Sequence, residues 1–233
     1  MKVKLVILAI LFIASGIFYY NLTGIETTGA DKKIENAMVS RVIDGDTVKL
    51  EDGRTIRLLG INTPEKSMPF SKEATEFLDQ MVQGKSVKME SYGLDKYGRT
   101  LAYLFIENKS VNKEILVQGL ATLYFYEKDD YYNELKWAEK FARLSELGLW
   151  KKSSDEECIT MTQLKSSEPE KLMLRNWCDK DLVIFFKDDA SHIYNATIKP
   201  NSEFTEEFSH IWNDDGDALH VWDKDGLLLF YRY

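Results

Sequence analysis

Proline, cysteine and histidine are all scarce: 233 residues contain 4 Pro, 2 Cys and 3 His, with only 13 Gly. So little Pro and Gly excludes collagen-like and proline-rich repeats. The histidines, His192, His210 and His220, and the cysteines, Cys158 and Cys178, all fall in the last third of the chain. Residues 1–157 therefore offer neither imidazole nor thiol. Hydrolytic chemistry there has to run on carboxylates, arginines and an oxygen-bound metal. The two Cys have no neighbouring His pattern and make a poor zinc site. As an even pair they either form a disulfide or stay as two thiols.

What is present is a globular composition. Hydrophobic residues make up 44% and charged residues 29%, which excludes wholesale disorder. The net charge of -8 argues against a purely electrostatic nucleic-acid coat protein. The charge is uneven. Residues 31–153 carry 20 basic and 20 acidic side chains, whereas 154–233 carry 8 and 17. A neutral middle and an acidic tail predict two units with different tasks.

One long apolar run exists, at the start. Lys2 and Lys4 precede Leu5 to Ala14, and Ile17-Phe18-Tyr19-Tyr20 extends the run. A positive start before an apolar stretch reads as an export signal or a membrane anchor over residues 1–22. Tyr19 and Tyr20 suit a membrane interface. Both cleavage and retention of the segment fit, and either places the rest outside the cytoplasm, secreted or anchored through residues 5–20. Residues 23–36 are polar and unpatterned, and read as a linker.

The middle segment predicts short strands and helices. Val39–Ile43, Thr47–Leu50 and Thr55–Leu59 read as strands, joined by Asp44-Gly45-Asp46 and by the Glu51-Asp52-Gly53-Arg54 turn. Phe70 to Gln83 has helical spacing, with Ala74, Phe77, Leu78 and Met81 on one face. Strands follow at Val87–Tyr92 and Thr100–Ile106, and helices at Val111–Gln118 and Tyr131–Leu147. Short strands closed by helices suggest a small barrel.

The candidate chemistry sits between these elements. Asp44 and Asp46 are two residues apart, so in extended chain their carboxylates share a face and suit Ca²⁺ or Mg²⁺; an ordinary turn has the same pattern. Arg57 lies in an apolar strand, where its planar fork matches phosphate unless it is simply an edge residue. Asn62-Thr63-Pro64-Glu65 follows, and Glu65 reads as either a general base or a solvated loop acid. Asp95-Lys96-Tyr97-Gly98-Arg99 offers two cations and an aromatic, which is phosphate and base chemistry or a plain hairpin turn.

Together, Ile43–Val48, Arg57–Glu65 and Asp95–Tyr103 resemble the staphylococcal nuclease (thermonuclease) family in order and spacing. Val111-Asn112, Gln118–Ala121 and Gly148-Leu149-Trp150 are similar to that family too, so the resemblance covers about residues 37–152. It implies an α+β fold: a five-stranded OB-fold β-barrel with three helices and Ca²⁺-dependent cleavage of DNA or RNA. By position, the resemblance makes Asp46 the main carboxylate ligand of the metal, supported by Asp44, with the Thr63 carbonyl joining it. Arg57 and Arg99 become the phosphate-clamping arginines, Glu65 the base that directs water, and Lys96 and Tyr97 the residues that touch the nucleotide phosphate. Asn62 departs from the family, which has Asp there. An amide oxygen still binds Ca²⁺ but brings no charge, which weakens the site and widens the choice of divalent ion.

Residues 153–167 read as a second linker. From Leu172 onward, apolar runs at 172–174, 182–186, 192–194, 218–222 and 227–231 alternate with turn signals, which predicts a β-sandwich. Ile211–Leu219 and Trp222–Leu227 resemble the lamin-tail domain, implying a small immunoglobulin-like β-sandwich over about 168–233. Asp214, Asp215, Asp217, Asp223 and Asp225 lack the EF-hand pattern and read as hairpin turns.

The sequence therefore predicts an exported or membrane-anchored, monomeric, metal-dependent nuclease acting on DNA or RNA. A protein or a cell-envelope component is the expected partner of the tail, which is expected to add nothing to nucleic-acid affinity. The alternative is an OB-fold binding module that cleaves weakly or not at all.

Overall fold

The computed structural model describes residues 32–233 apart from 67, 126, 127, 191 and 215. The expected signal or anchor over 1–22 lies outside the described residues. Among those described, no helix is long and apolar enough to cross a membrane.

The first half is the barrel that the resemblance implies. Strand β1 (Lys33–Asp44) pairs antiparallel with β2 (Thr47–Leu50), and β2 with β3 (Thr55–Leu58). The short β4 (Ile61–Asn62) and helix α1 (Ser71–Val82) follow. Strand β5 (Ser86–Leu94) pairs with β1 and with β6 (Thr100–Ile106), and β6 closes the ring by a parallel pairing with β3. Then come β7 (Lys109–Ser110), α2 (Val111–Val117), β8 (Thr122–Leu123) and α3 (Tyr132–Leu144). Two register shifts in β1 let one long strand bend around the barrel. Strand β1 begins at Lys33, so residues 33–36 belong to the sheet rather than to a linker. Their own pattern is polar, and they are held by the ladder to β5.

Alternating side chains fill the barrel: Val39, Val48, Leu50, Ile56, Leu58, Met89, Tyr103 and Leu104 are buried together with Ala74, Leu78 and Val82 of α1. Asn112 is wholly buried and fully used. Its Oδ1 accepts from the Leu104 amide at 3.1 Å and its Nδ2 donates to the Leu59 carbonyl at 2.8 Å.

The second half is two further sheets. One contains β9 (Ile159–Lys165), β10 (Glu170–Asn176) and β13 (Glu203–Phe208). The other contains β11 (Leu182–Lys187), β12 (Ile193–Ile198), β14 (Ala218–Trp222) and β15 (Leu227–Arg232). Leu172 and Leu174 of one sheet share a core with Ile184, Phe186, Leu219 and Val221 of the other. A disulfide joins Cys158 to Cys178. Strand β9 falls inside the stretch expected as a linker, and β13 arises from Glu203–Phe208, whose three glutamates hide its strand character.

Barrel and sheets are not independent. Ala142, Leu149 and Trp150 form one buried cluster with Trp222 and Leu227. The Trp222 Nε1 donates to the Leu149 carbonyl at 2.8 Å, and the Leu227 amide donates to the Lys151 carbonyl at 2.8 Å. Arg232 closes the seam with Glu139 of α3 at 3.1 Å.

Candidate active site

The turn between β1 and β2 fixes the site. A Cβ on Gly45 would lie 2.7 Å from that of Ala74 and 2.8 Å from the Thr63 hydroxyl. Only glycine lets α1 and the Thr63 segment approach so closely. Asp44 and Asp46 flank this contact, and the Asp46 amide donates to Asp44 Oδ1 at 3.2 Å.

Asp46 is buried, and its carboxylate is fully engaged. Oδ2 accepts from the Thr63 amide and hydroxyl, both at 2.9 Å, and Oδ1 accepts from Thr47 Oγ1 at 3.1 Å and pairs with Arg57 Nε at 3.1 Å. Arg57 continues the network. Its Nη1 donates to the Leu58 and Ile61 carbonyls, and its Nη2 donates to Asn62 Oδ1 at 3.1 Å. Three of the five guanidinium hydrogens are used in these bonds, Nε faces Asp46 in the ion pair, and one hydrogen on Nη2 remains. Burial first, then the charge of Asp46, push the Asp44 carboxyl above its ordinary range.

The structure thus brings Asp44, Asp46, Arg57, Asn62 and Thr63 together. Glu65 is exposed at the lip of a cleft that Asn62 and Thr63 also line. Lys96, Tyr97 and Arg99 form a separate group on the β5–β6 turn. Arg99 Nε pairs with Asp95 at 2.6 Å, and the Tyr97 ring lies 5.1 Å from Lys96 Nζ and 5.4 Å from the Arg99 guanidinium. Burial would raise the Asp95 carboxyl, but hydrogen bonds from the Arg99 backbone and side chain outweigh it and hold Asp95 low. Among the described residues, no hydrogen bond or ion pair joins this turn to Arg57 or Glu65.

The donor set suits a hard cation. Asp46, the Asn62 amide oxygen, the Thr63 carbonyl and the nearby Asp44 are all oxygens. Asp46 Oδ1 and Asn62 Oδ1 both face the Arg57 guanidinium, so they already converge on positive charge. The repulsion between Asp44 and Asp46 is what a divalent ion would relieve. Among the described residues, no three His, Cys, Asp or Glu side chains gather as a metal cluster. This set relies instead on an acidic pair, an amide and a backbone oxygen.

The second half of the chain reaches this site. Asn62 Nδ2 donates to the carbonyls of Ala190, at 2.7 Å, and Asp189, at 3.3 Å. Lys187, Ala190, Ile193 and Trp222 line the cleft together with Asn62, Thr63, Glu65 and Thr122. No spacing rule connects residues 65 or more positions apart, so the sequence carried no signal for these. Behind them, burial pushes Asp189 up to about 7, opposed by Arg232 at 2.9 Å, and lowers His220 well below its usual value.

Comparison with known proteins agrees with this architecture. The model of the family described as staphylococcal nuclease homologue matches residues 55–152. The chain is 34% identical over 159 residues to the thermonuclease of Staphylococcus intermedius, covering 63% of this chain and 95% of that protein. It is 34% identical over 136 residues to endonuclease YncB of Bacillus subtilis (strain 168), covering 52% and 64%. It is 42% identical over 95 residues to the probable staphylococcal-like nuclease CAN1 of Oryza sativa subsp. japonica, covering 41% and 28%.

Proposed function

The chain belongs to the staphylococcal nuclease family, and we propose that it hydrolyses phosphodiester bonds of DNA or RNA with the help of a divalent cation, Ca²⁺ foremost. The observation that carries this reading is the network at one end of the barrel. Asp46, Arg57, Asn62 and Thr63 are locked together beside Asp44, with Glu65 exposed at the cleft mouth.

Each residue has a task that its surroundings permit. Glu65 is exposed and can take a proton from water on a carboxylate oxygen as that water attacks phosphorus. The extra negative charge that develops on the phosphate oxygens needs fixed positive partners. Arg57 can offer its remaining Nη2 hydrogen without disturbing the network. Arg99 offers more once it leaves Asp95, and Lys96 and Tyr97 beside it suit a neighbouring phosphate. A cation held by Asp46, Asn62 and the Thr63 carbonyl would supply further neutralisation. The P–O bond to the leaving oxygen then breaks, and that alkoxide takes up a proton from a solvent water while Glu65 returns its own proton to solvent.

Lys2 and Lys4 before the apolar run support a companion proposal, that residues 1–22 export or anchor this nuclease. The lamin-tail resemblance of 168–233 stays a proposal of the same kind, as does a protein or cell-envelope partner for those sheets.

The test is Glu65→Gln. Turnover on single-stranded DNA with Ca²⁺ is expected to fall by about 10²–10⁴, with nucleic-acid affinity nearly unchanged. Equal turnover in both proteins removes Glu65 from the reaction, and no Ca²⁺-dependent cleavage by the parent refutes the activity.

A further inference from the structure

Lys187 ends β11 on the cleft wall that the C-terminal sheets supply. It is 8% exposed, and its one hydrogen bond among the described residues is a 3.5 Å contact from Nζ to Thr122 Oγ1. Carboxylates surround it, yet each is committed elsewhere. Asp188 Oδ2 meets His192 at 2.6 Å, and Asp189 and Glu139 pair with Arg232. Asp217 accepts from the amides of Asp189, Asn213 and Ala218. They keep the local field negative without satisfying the ammonium, and burial lowers the Lys187 pKa.

A desolvated ammonium with three donors and, among the described residues, one long contact is a poor structural element. It is well placed for an incoming anion. The cavity it lines measures about 20 Å³, the room of one water-sized group, and Glu65 and Asn62 line the same cavity. A non-bridging phosphate oxygen has that size and the required charge.

We propose that Lys187 is a substrate-binding residue which the C-terminal sheets add to the barrel's active site, receiving a non-bridging oxygen of a nucleic-acid phosphate in the cleft beside Glu65. This rests on the nuclease reading above. It also revises the expectation that an acidic tail adds nothing to nucleic-acid affinity, because a net charge says nothing about one cation placed at a cleft.

The experiment compares the full-length protein with Lys187→Met and Lys187→Arg. Four quantities are read: kcat and KM on a single-stranded oligonucleotide, affinity for the dinucleotide TpT on a Glu65→Gln background, and Tm. Lys187→Met is expected to raise KM at least tenfold with a smaller change in kcat, and to weaken TpT binding in proportion. Its Tm should hold or rise, since a desolvated charge is gone. Lys187→Arg should keep part of the affinity. Unchanged KM and TpT affinity in Lys187→Met overturn the proposal. So does a fall in Tm that tracks the loss of activity, which would make Lys187 structural. If the parent cleaves nothing, the nuclease reading fails and TpT decides alone. Binding that depends on Lys187 upholds the site, and no binding by either protein refutes it.

Discussion

Asn62 donates its side-chain amide to the Ala190 carbonyl at 2.7 Å while its Oδ1 accepts from Arg57 at 3.1 Å. Both ends of the amide are thereby fixed, because a guanidinium only donates and a carbonyl only accepts. The family's Asp could serve Arg57 but would set a carboxylate oxygen against the Ala190 and Asp189 carbonyls. The departure from the family pattern thus has a structural reason: residue 62 ties the Asp46–Arg57 network to the sheets of the C-terminal half.

Asn62→Asp is therefore expected to separate two properties. It loses two hydrogen bonds worth about 1 kcal/mol each, so without divalent ions its Tm should fall by about 5 °C. It also gains a second charged ligand beside Asp46, so Ca²⁺ should raise its Tm more than it raises that of the parent, and half-maximal cleavage should need less Ca²⁺. Thermal unfolding with and without Ca²⁺ checks both. An unchanged response to Ca²⁺ would place the ion away from residue 62.

Arg57→Lys keeps the charge but cannot reproduce bonds to Asp46, Leu58, Ile61 and Asn62 together. Hydrogen bonds to charged groups contribute about 1.5–3 kcal/mol each, so the change should lower both Tm and kcat. Lys96 is exposed and, among the described residues, tied only to the Tyr97 ring. Lys96→Ala is expected to leave Tm unchanged and to cost much less activity. Comparable kinetics for the two variants would show that Arg57 does not organise the site.

The shared cluster changes the expectation for a truncated chain. The barrel has its own core, which suggests independent folding. Ending the chain at Ser153 removes Trp222, Leu227 and Phe230 from Trp150 and Leu149. Each large apolar side chain left uncovered costs about 1.5–3 kcal/mol. Such a chain is expected to melt well below the full-length protein and to bind an apolar dye. Calorimetry decides this: an unchanged barrel transition would mean the seam adds no stability.

Glu90 on β5 ties the start of β1 to the segment before α3. It pairs with Lys32 and with Lys88, and it accepts from the Tyr131 hydroxyl at 2.7 Å. Burial alone would raise its pKa, but these three partners reverse the sign and hold it down to about 2. An unfolded Glu titrates near ~4.3, so the folded value is depressed. Its contribution is complete above ~4.3 and disappears as pH falls toward 2. Glu90→Gln should lower Tm at neutral pH and flatten the acid loss of Tm across that window. A slope equal to the parent's would assign the acid sensitivity elsewhere.

The sequence by itself determined everything that depends on neighbours along the chain. Alternation gave the strands of the barrel, and 3.6-residue spacing gave α1 and α3 with Ala74, Leu78, Leu135 and Ala138 inward. Asp44, Asp46, Arg57, Asn62 and Thr63 were legible because one strand–turn–strand run carries them all within about twenty residues. Only the tertiary structure decided what faces them. Residues 33–36, with a single apolar side chain at Ile34, became strand because β5 offered a ladder, and Glu203–Phe208 did so because β10 did. The contacts of Asn62 with Ala190 and of Lys187 with Thr122 come from two units docking through Trp150 and Trp222. Periodicity reports which face of an element is buried, not which element covers it. The residues that complete the cleft from the C-terminal half therefore appear only once the chain is folded.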